Sequence, residues 1–329
     1  MRFLSALLLC LLPLQISAQV SDSPPVKGSD FENKQAFATW QGIEPDKWAT
    51  VWLIKRYLSP EAVFSFYPPN SSLPQDVVSF GVNSAALKRS NRQSMFHLLV
   101  SSAGITEPVV QELDRVIYDL EVNIWETPEH ERSAWIEALY RQLQERYRRD
   151  QVPVDCYLEF FDGVAELLAM KNVTARQYDE RLSLSSVCPG IKEPSRFVEQ
   201  LDHLEVLREI SLGKRVVFID TRENQEYSEM HLPGAQQLAL RDVNAQSVAA
   251  LKDADLIVPY CIKDFRGFEV AKAIKLNGGG RVATLSPNGL KGWLNAKLPM
   301  VNESVSEQEA KRELMQCAME PKQCLVEAR

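Results

Sequence analysis

Leu256-Ile-Val-Pro-Tyr260, then Cys261-Ile-Lys-Asp-Phe-Arg266-Gly267, then Phe268-Glu-Val-Ala-Lys-Ala-Ile-Lys-Leu276 is the stretch from which the fold can be read. The first five residues form an apolar run with the length and composition of a buried strand, and the last nine read as a helix. A cysteine at such a junction faces backbone N–H groups and the positive end of a helix dipole. That setting favours the thiolate, the reactive form of cysteine. A buried structural cysteine is the competing reading, and the residues upstream decide between them.

Val216-Val-Phe-Ile-Asp220 is a second apolar run, ending in Asp220-Thr-Arg222. A short helix carries Glu226 and Tyr227, and His231-Leu-Pro-Gly-Ala235 leads into another strand. Downstream stands Gly289-Leu-Lys-Gly-Trp293. Together these resemble the rhodanese domain, a sulfurtransferase module. Its landmarks are an Asp-x-Arg strand end, a Glu-Tyr helix, a His-Ile-Pro-Gly-Ala turn, a Cys loop closing on an Arg, and a Gly-x-x-x-Trp helix. Leu232 replaces the Ile of the turn. The resemblance covers about residues 196–300 and implies a parallel-sheet α/β domain, which the sequence opens with a helix over Ser195–Leu204.

Loop length separates two chemistries on this fold. Related phosphatases hold one residue more between Cys and Arg than the four found here, Ile262, Lys263, Asp264 and Phe265. The ring therefore suits a sulfur atom better than a phosphoryl group. The resemblance implies catalysis by Cys261, with Arg266 orienting the anion. It also implies a persulfide held by the loop of Ile262, Lys263, Asp264, Phe265 and Gly267. The glycine usual within the loop is missing. Asp264 is expected at the loop rim, opposing an anionic donor, with Lys263 and Arg266 offsetting it. Asp220, Arg222, Glu226 and His231 read as framework, because buried charges are as a rule paired. The implied reaction takes sulfur from a small-molecule or protein donor and passes it to a thiol acceptor, without a cofactor.

The first half has a different pattern. Asp46-Lys-Trp-Ala-Thr-Val-Trp-Leu-Ile-Lys-Arg-Tyr-Leu58 sets Trp48, Val51, Trp52 and Tyr57 or Leu58 near one helix face. Ala62-Val-Phe-Ser-Phe-Tyr67 reads as a strand stopped by Pro68-Pro69. Helices are expected at about 92–103, 107–122, 128–149 and 155–170. The third is expected to start with Thr127 as cap and Pro128 at the first helical position. Its stripe is expected along Trp135, Leu139, Leu143 and Tyr147. Glu145-Arg-Tyr-Arg-Arg-Asp150 reads as a solvated helix end.

Asp46-Lys-x-Ala-x-x-Trp-Leu-Ile-x-Arg56, followed by Ser59-Pro-Glu-Ala62 and a short strand, resembles the C-terminal domain of ChrB-type chromate-resistance proteins. The resemblance covers about residues 37–170 and implies a mainly helical domain. Ile117-Tyr-Asp119 falls where that family has a His-Asp pair, and Phe96-His97 where it has Phe-Glu. A family His and Cys align with Arg89 and Ser94. What carries over is the fold, not the activity. A metal site would have to come from His97, Asp119 and Glu121, against the simpler reading of Asp119 as a capping or ion-paired carboxylate.

Met1-Arg2, the apolar run from Phe3 to Leu14 and Ile16-Ser-Ala18 form a signal-peptide pattern with cleavage after Ala18. A periplasmic or secreted protein is expected. No stretch reads as a membrane span. Five of the six cysteines lie beyond the signal. With Cys261 free, Cys156, Cys188, Cys317 and Cys324 are left for two bridges, whose pairing stays open at this level. A local Cys317–Cys324 bridge would leave Cys156–Cys188. The net charge of −7, with 45% hydrophobic and 25% charged residues, describes a globular chain with nothing global pointing to nucleic acid.

The organisation expected is α/β: signal 1–18, flexible leader 19–36, ChrB-like domain 37–170, linker 171–194, rhodanese-like domain 195–300 and polar tail 301–329. Two functions compete. One is an exported sulfurtransferase or persulfide carrier, favoured by the intact Cys–Arg loop. The other is a partner-binding module sensing redox or metal stress, related to chromate resistance.

Overall fold

A computed structural model describes residues 26–123, 126–172, 188–190 and 197–324. The proposed signal peptide, the start of the leader, most of the linker and the last five residues lie outside the described residues.

The first domain begins with β1 (Ala36–Trp40), α1 (Pro45–Leu53), β2 (Val63–Tyr67) and β3 (Val78–Ser79). Both β2 and β3 pair with β1 in parallel, giving the order β2-β1-β3. This small sheet adds to the helical character expected. Pro45 sits in the first turn of α1, where its missing N–H costs nothing. Then come α2 (Met95–Ala103), α3 (Pro108–Glu121), α4 (Ser133–Glu145) and α5 (Val154–Ala169). Three of the expected helices stand within a few residues of their predicted bounds.

The third starts later than expected, at Ser133 instead of Pro128. The Asp119 carboxylate accepts the N–H groups of Glu129 (2.9 Å) and His130 (3.0 Å) and the Ser133 hydroxyl (2.6 Å), closing 128–133 as a turn. The buried stripe of α4 is Ile136, Tyr140 and Leu143, with Tyr147 beyond the helix, while Trp135 is 45% exposed. The end of the leader is not loose. Phe31 is buried and stacks on Phe37 at 6.2 Å.

The second domain contains β4 (Glu199–Leu201), α6 (His203–Ser211), β5 (Val216–Asp220), α7 (Asn224–Glu229), β6 (Met230–His231), β7 (Gln236–Gln237) and α8 (Ala245–Ala249). It continues with β8 (Leu256–Tyr260), α9 (Phe265–Leu276), β9 (Ala283–Leu285) and α10 (Gly289–Asn295). Strands β7-β5-β8 and β9-β4 pair in parallel, and a parallel bridge between Ile257 and Val282 links the two sets. Val216, Val217, Phe218, Ile219 and Asp220 face Leu256 to Tyr260 in register. The strands are continuous apolar runs because helices cover both faces.

The domain does not open with a helix over 195–204. Glu199–Leu201 is a strand, paired in parallel with Ala283–Leu285. The helix waits for Asp202, whose side chain accepts the Glu205 N–H at 2.8 Å while Glu205 accepts the Asp202 N–H at 2.9 Å. The expected polar tail is also part of the fold. After β10 (Val301–Asn302), α11 (Glu307–Met319) buries Ala310, Leu314, Cys317 and Ala318, and α12 (Pro321–Cys324) follows. One apolar core runs from the helices of the first domain into α9 through Phe265, Phe268 and Ile274; a second fills the other side of the rhodanese-like sheet, around Trp293 and Tyr260.

Candidate active site

Cys261 stands between the last residue of β8 and the first turn of α9, as the strand–loop–helix pattern requires, and is 3% exposed. Its thiol differs from the sequence expectation. Burial pushes the Cys261 pKa up, although the Arg266 charge and a hydrogen bond from the Gly267 N–H pull it down. The helix start alone does not make this cysteine a thiolate, because it is also desolvated.

The loop leans on the start of α10. Leu290 N–H donates to the Cys261 carbonyl at 2.9 Å, and Lys291 N–H to that of Ile262 at 2.9 Å. A Cβ on Gly289 would lie 2.6 Å from the Cys261 carbonyl oxygen and collide with that of Lys263, and Gly289 has φ +49°. Only glycine fits there, which gives the Gly-x-x-x-Trp landmark a physical reason. Trp293 closes the far end, fully buried, with its indole N–H on the Pro299 carbonyl at 3.0 Å.

Arg266 points inward. Its side chain is 13% exposed, one Nη lies 3.6 Å from Glu226 Oε2, and Nη2 is buried without a hydrogen-bond partner. Burial raises the Glu226 pKa, but the charges of Arg266 and Arg89 and the Glu223 N–H outweigh it and leave the carboxyl below its ordinary value. Glu226 thus belongs with the Cys–Arg pair, beyond the framework role expected for it. Asp220 and Arg222 are framework. Arg222 Nη2 donates to Asp220 at 2.7 Å and to the Met230 carbonyl at 2.6 Å, and the Tyr260 hydroxyl donates to Asp220 at 2.8 Å. His231 fixes its turn, stacked on Tyr227 at 4.0 Å with Nε2 3.4 Å from Glu307.

The middle of the loop is turned away from solvent. Asp264, expected at the rim, is fully buried and holds two arginines of the first domain, Arg141 (2.6 Å) and Arg149 (2.6 Å), and accepts from the Ser286 hydroxyl at 3.0 Å. These two guanidinium groups overcome burial and hold its carboxyl below the usual range. Asp264 therefore does not face an incoming donor. Lys263 pairs with Glu137 at 2.5 Å, and Phe265 meets Tyr140 edge-on at 5.9 Å. Arg141 sits 4.6 Å over the Phe265 ring. Ile262, Lys263, Asp264 and Phe265 are all buried, so the expected persulfide loop is also the seam between the domains.

Sequence reasoning missed Glu137, Arg141 and Arg149. Arg149 belongs to the run read as a solvated helix end, yet it is 5% exposed. Arg148 and Arg149 have φ 61° and 66°, an uncommon left-handed pair that ends the turn after α4 and directs Arg149 inward. Clustering of arginines near a helix end was the one available signal.

His97, Asp119 and Glu121 do not converge. His97 Nδ1 lies 2.7 Å from Asp114, Asp119 closes the turn before α4, and Glu121 pairs with Arg89 at 2.9 Å. Among the described residues no three metal-capable side chains gather. Glu121 is drawn to the seam instead. Burial pushes its carboxyl up to about 7 against the Arg89 charge, with Asp46 and Glu44 adding to the rise.

Cys156 is bridged to Cys188 and Cys317 to Cys324, the pairing left open by the sequence; Cys261 is the free cysteine among the described residues. Among those residues no helix is long and apolar enough to cross a membrane.

Residues 37–168 match the family described as ChrB, C-terminal domain, and residues 203–296 the rhodanese-like domain. Protein ChrB of Cupriavidus metallidurans is 27% identical over 154 residues, 46% of this chain, and the chain spans about half (46%) of that relative's length. Among solved structures, thiosulfate sulfurtransferase from Pseudomonas aeruginosa is 23% identical, covering 37% of this chain and 24% of that one, with a TM-score of 0.28. Protein hp1203 of Helicobacter pylori is 26% identical over 30% of this chain and 87% of its own, with a TM-score of 0.24.

Proposed function

We propose that this chain, a ChrB C-terminal-type domain joined to a rhodanese-like domain, is an exported sulfurtransferase that carries sulfane sulfur as a persulfide on Cys261. Export rests on the charged start, apolar run and Ala18 of the N-terminus. The observation that carries the reaction is the placement of Cys261. It is an unbridged thiol at the end of β8, with the Gly267 N–H on its sulfur and the Arg266 charge beside it.

The reaction has two displacements. Cys261 first loses its proton, and the thiolate attacks the outer sulfur of the donor. A Cys261 S–S bond forms as the donor's own bond to that sulfur breaks, and the leaving group departs with the electron pair, as sulfite from thiosulfate, a thiolate from a persulfide, or the enolate of pyruvate from mercaptopyruvate. An acceptor thiolate then attacks the outer sulfur, and Cys261 leaves as thiolate. No external oxidant or reductant is needed. Splitting the transfer is nucleophilic catalysis. Arg266, steadied by Glu226, and the Gly267 N–H favour the anionic states against the desolvation that otherwise opposes them. The test is intact mass of protein treated with thiosulfate or mercaptopyruvate. Addition of one sulfur to the wild type and none to Cys261→Ser supports the reading; no addition with any donor removes it.

A second reading is favoured by burial of the loop beneath the first domain. It takes the chain as a partner-binding stress sensor, in which the first domain covers Cys261 and an outside signal uncovers it. This reading predicts a Cys261 inert to sulfur donors in the native protein, whatever its reactivity after unfolding.

A further inference from the structure

The turn after α4 makes three contacts with the far side of the seam. Arg149 meets Asp264 at 2.6 Å, Asp150 meets Lys272 at 3.0 Å, and Arg148 lies 5.9 Å over the Phe197 ring. Arg148 and Arg149 both stand in the left-handed region. Residues other than glycine keep that conformation only where their surroundings impose it. The contact between Arg149 and the Cys261 loop thus depends on what lies behind the turn.

Residues 188–190 lie there. Gly190 N–H donates to the Tyr147 hydroxyl oxygen at 3.1 Å, and Arg146 Nη1 donates to the Cys188 carbonyl at 3.5 Å. A Cβ on Gly190, which has φ +79°, would stand 3.0 Å from Arg146 Cβ and 3.1 Å from the Arg146 carbonyl oxygen. The Cys156–Cys188 bridge pins this segment to the first turn of α5. Tyr147 is buried between them, with its hydroxyl 3.6 Å from Cys156 Sγ. Both bridged cysteines belong to the apolar core that holds Phe265 of the loop, whereas Cys317 belongs to the other core. The two bridges therefore differ in what they support. Pro189, beside the first bridge, is exposed. Glu159 Oε2 lies 3.2 Å from Cys188 Sγ, placed to accept the hydrogen of a free thiol.

We infer that the Cys156–Cys188 bridge is a redox latch on the Cys261 site: closed, it holds the turn that keeps Arg149 on Asp264, and opened by a dithiol it releases the loop. Opening takes two thiol–disulfide exchanges. One thiolate of the dithiol attacks a bridge sulfur, forming a mixed disulfide as the Cys156–Cys188 bond breaks. The second thiolate displaces the remaining cysteine. Two electrons and two protons pass to Cys156 and Cys188, which become thiols, and the dithiol becomes a disulfide. The consequence for sulfur transfer rests on the reading of Cys261 given above; the effect on the Cys261 thiol does not.

The test is the rate of iodoacetamide alkylation at Cys261, read by peptide mass on full-length protein before and after dithiothreitol. Cys317→Ala/Cys324→Ala protein carries only the first bridge, so reduction there reports on it alone. Alkylation of Cys261 is expected to rise about 5-fold or more on reduction, the low end of coupling between two sites, with the far-UV circular dichroism kept. Cys156→Ala/Cys188→Ala should reproduce the rise without reductant, and if that variant misfolds the reduced protein supplies the same comparison. Adding Asp264→Asn should leave reduction with less than about a 2-fold effect, because the contact it would release is already gone. A Cys261 rate unchanged by reduction would overturn the inference. So would a full rise in the Asp264→Asn background, or loss of the native spectrum on reduction, since either makes the bridge a general support and not a latch. A persulfide mass shift on oxidised wild-type protein is measured separately. Its absence alongside a reduction-dependent alkylation rate removes sulfur transfer and keeps the latch; its presence with an unchanged rate does the reverse.

Discussion

At Cys261 two effects oppose each other: the helix start, Arg266 and the Gly267 N–H favour the thiolate, and burial disfavours it. Burial wins, so the folded thiol loses its proton above its ordinary value of 9.0. Alkylation of native protein by iodoacetamide should accordingly be slow at neutral pH and still rising where a free cysteine has levelled off. A plateau near pH 8 would show a thiolate and contradict this. Arg266 also departs from sequence expectation. A charge facing only an anion could be removed with little effect on stability, but this guanidinium is buried against Glu226. Arg266→Ala is expected to lower kcat/KM ~10-fold or more and to lower the melting temperature as well, because it leaves the Glu226 carboxylate buried and unpaired. Kinetics at the wild-type level with a lowered melting temperature would make Arg266 structural only.

Among the elements, the loop from Cys261 to Phe265 does two jobs. Its ends hold the thiol and Arg266, and its middle fastens the domains. Asp264 with Arg141 and Arg149 is the fastening. Asp264→Asn leaves the buried Arg149 guanidinium and the half-buried Arg141 facing a neutral amide, and removing one partner from such a set costs about 3–5 kcal/mol. The variant should melt several degrees lower, and its Cys261 should react faster with iodoacetamide because the loop is no longer clamped. Unchanged reactivity alongside lowered stability would show that the clamp does not govern access. The sequence reading of Asp264 as a rim charge failed for a definite reason. Its partners lie 115 and 123 residues away, and no local pattern encodes a contact across two domains.

Over the whole molecule, the buried carboxyls at the seam make stability depend on pH. Burial pushes Glu121 and Glu269 up to about 7, from an ordinary 4.5. Between those values the folded protein binds more protons than the unfolded chain, so stability falls as pH rises through that window. The melting temperature should drop from pH 5 to 7.5, and Glu269→Gln should flatten the profile. A rise over the same range would reverse the assignment. Asp264 behaves oppositely: its carboxyl is held low, so its contribution is present above its ordinary 3.8 and is lost as pH falls through its folded value. Non-reducing peptide mapping should find Cys156–Cys188 and Cys317–Cys324 with Cys261 free. Three free cysteines in protein kept under oxidising conditions would contradict it.

The order of strands, turns and helices in the second domain was legible from Asp220 through Cys261 to Trp293, because strand ends, turns and helix caps are local events fixed by near neighbours. The helices of the first domain were legible from their 3.6-residue period, except where the Asp119 side chain moved the start of α4. Strand β1 was missed because its partners, β2 and β3, lie elsewhere in the chain. The register of β4, the docking of α11, the clamp on Asp264 and the inward turn of Arg266 were decided only in three dimensions. Each depends on which distant charge or surface a side chain meets once the chain has closed, and burial then decides whether a charged group is an exposed reagent or part of a seam.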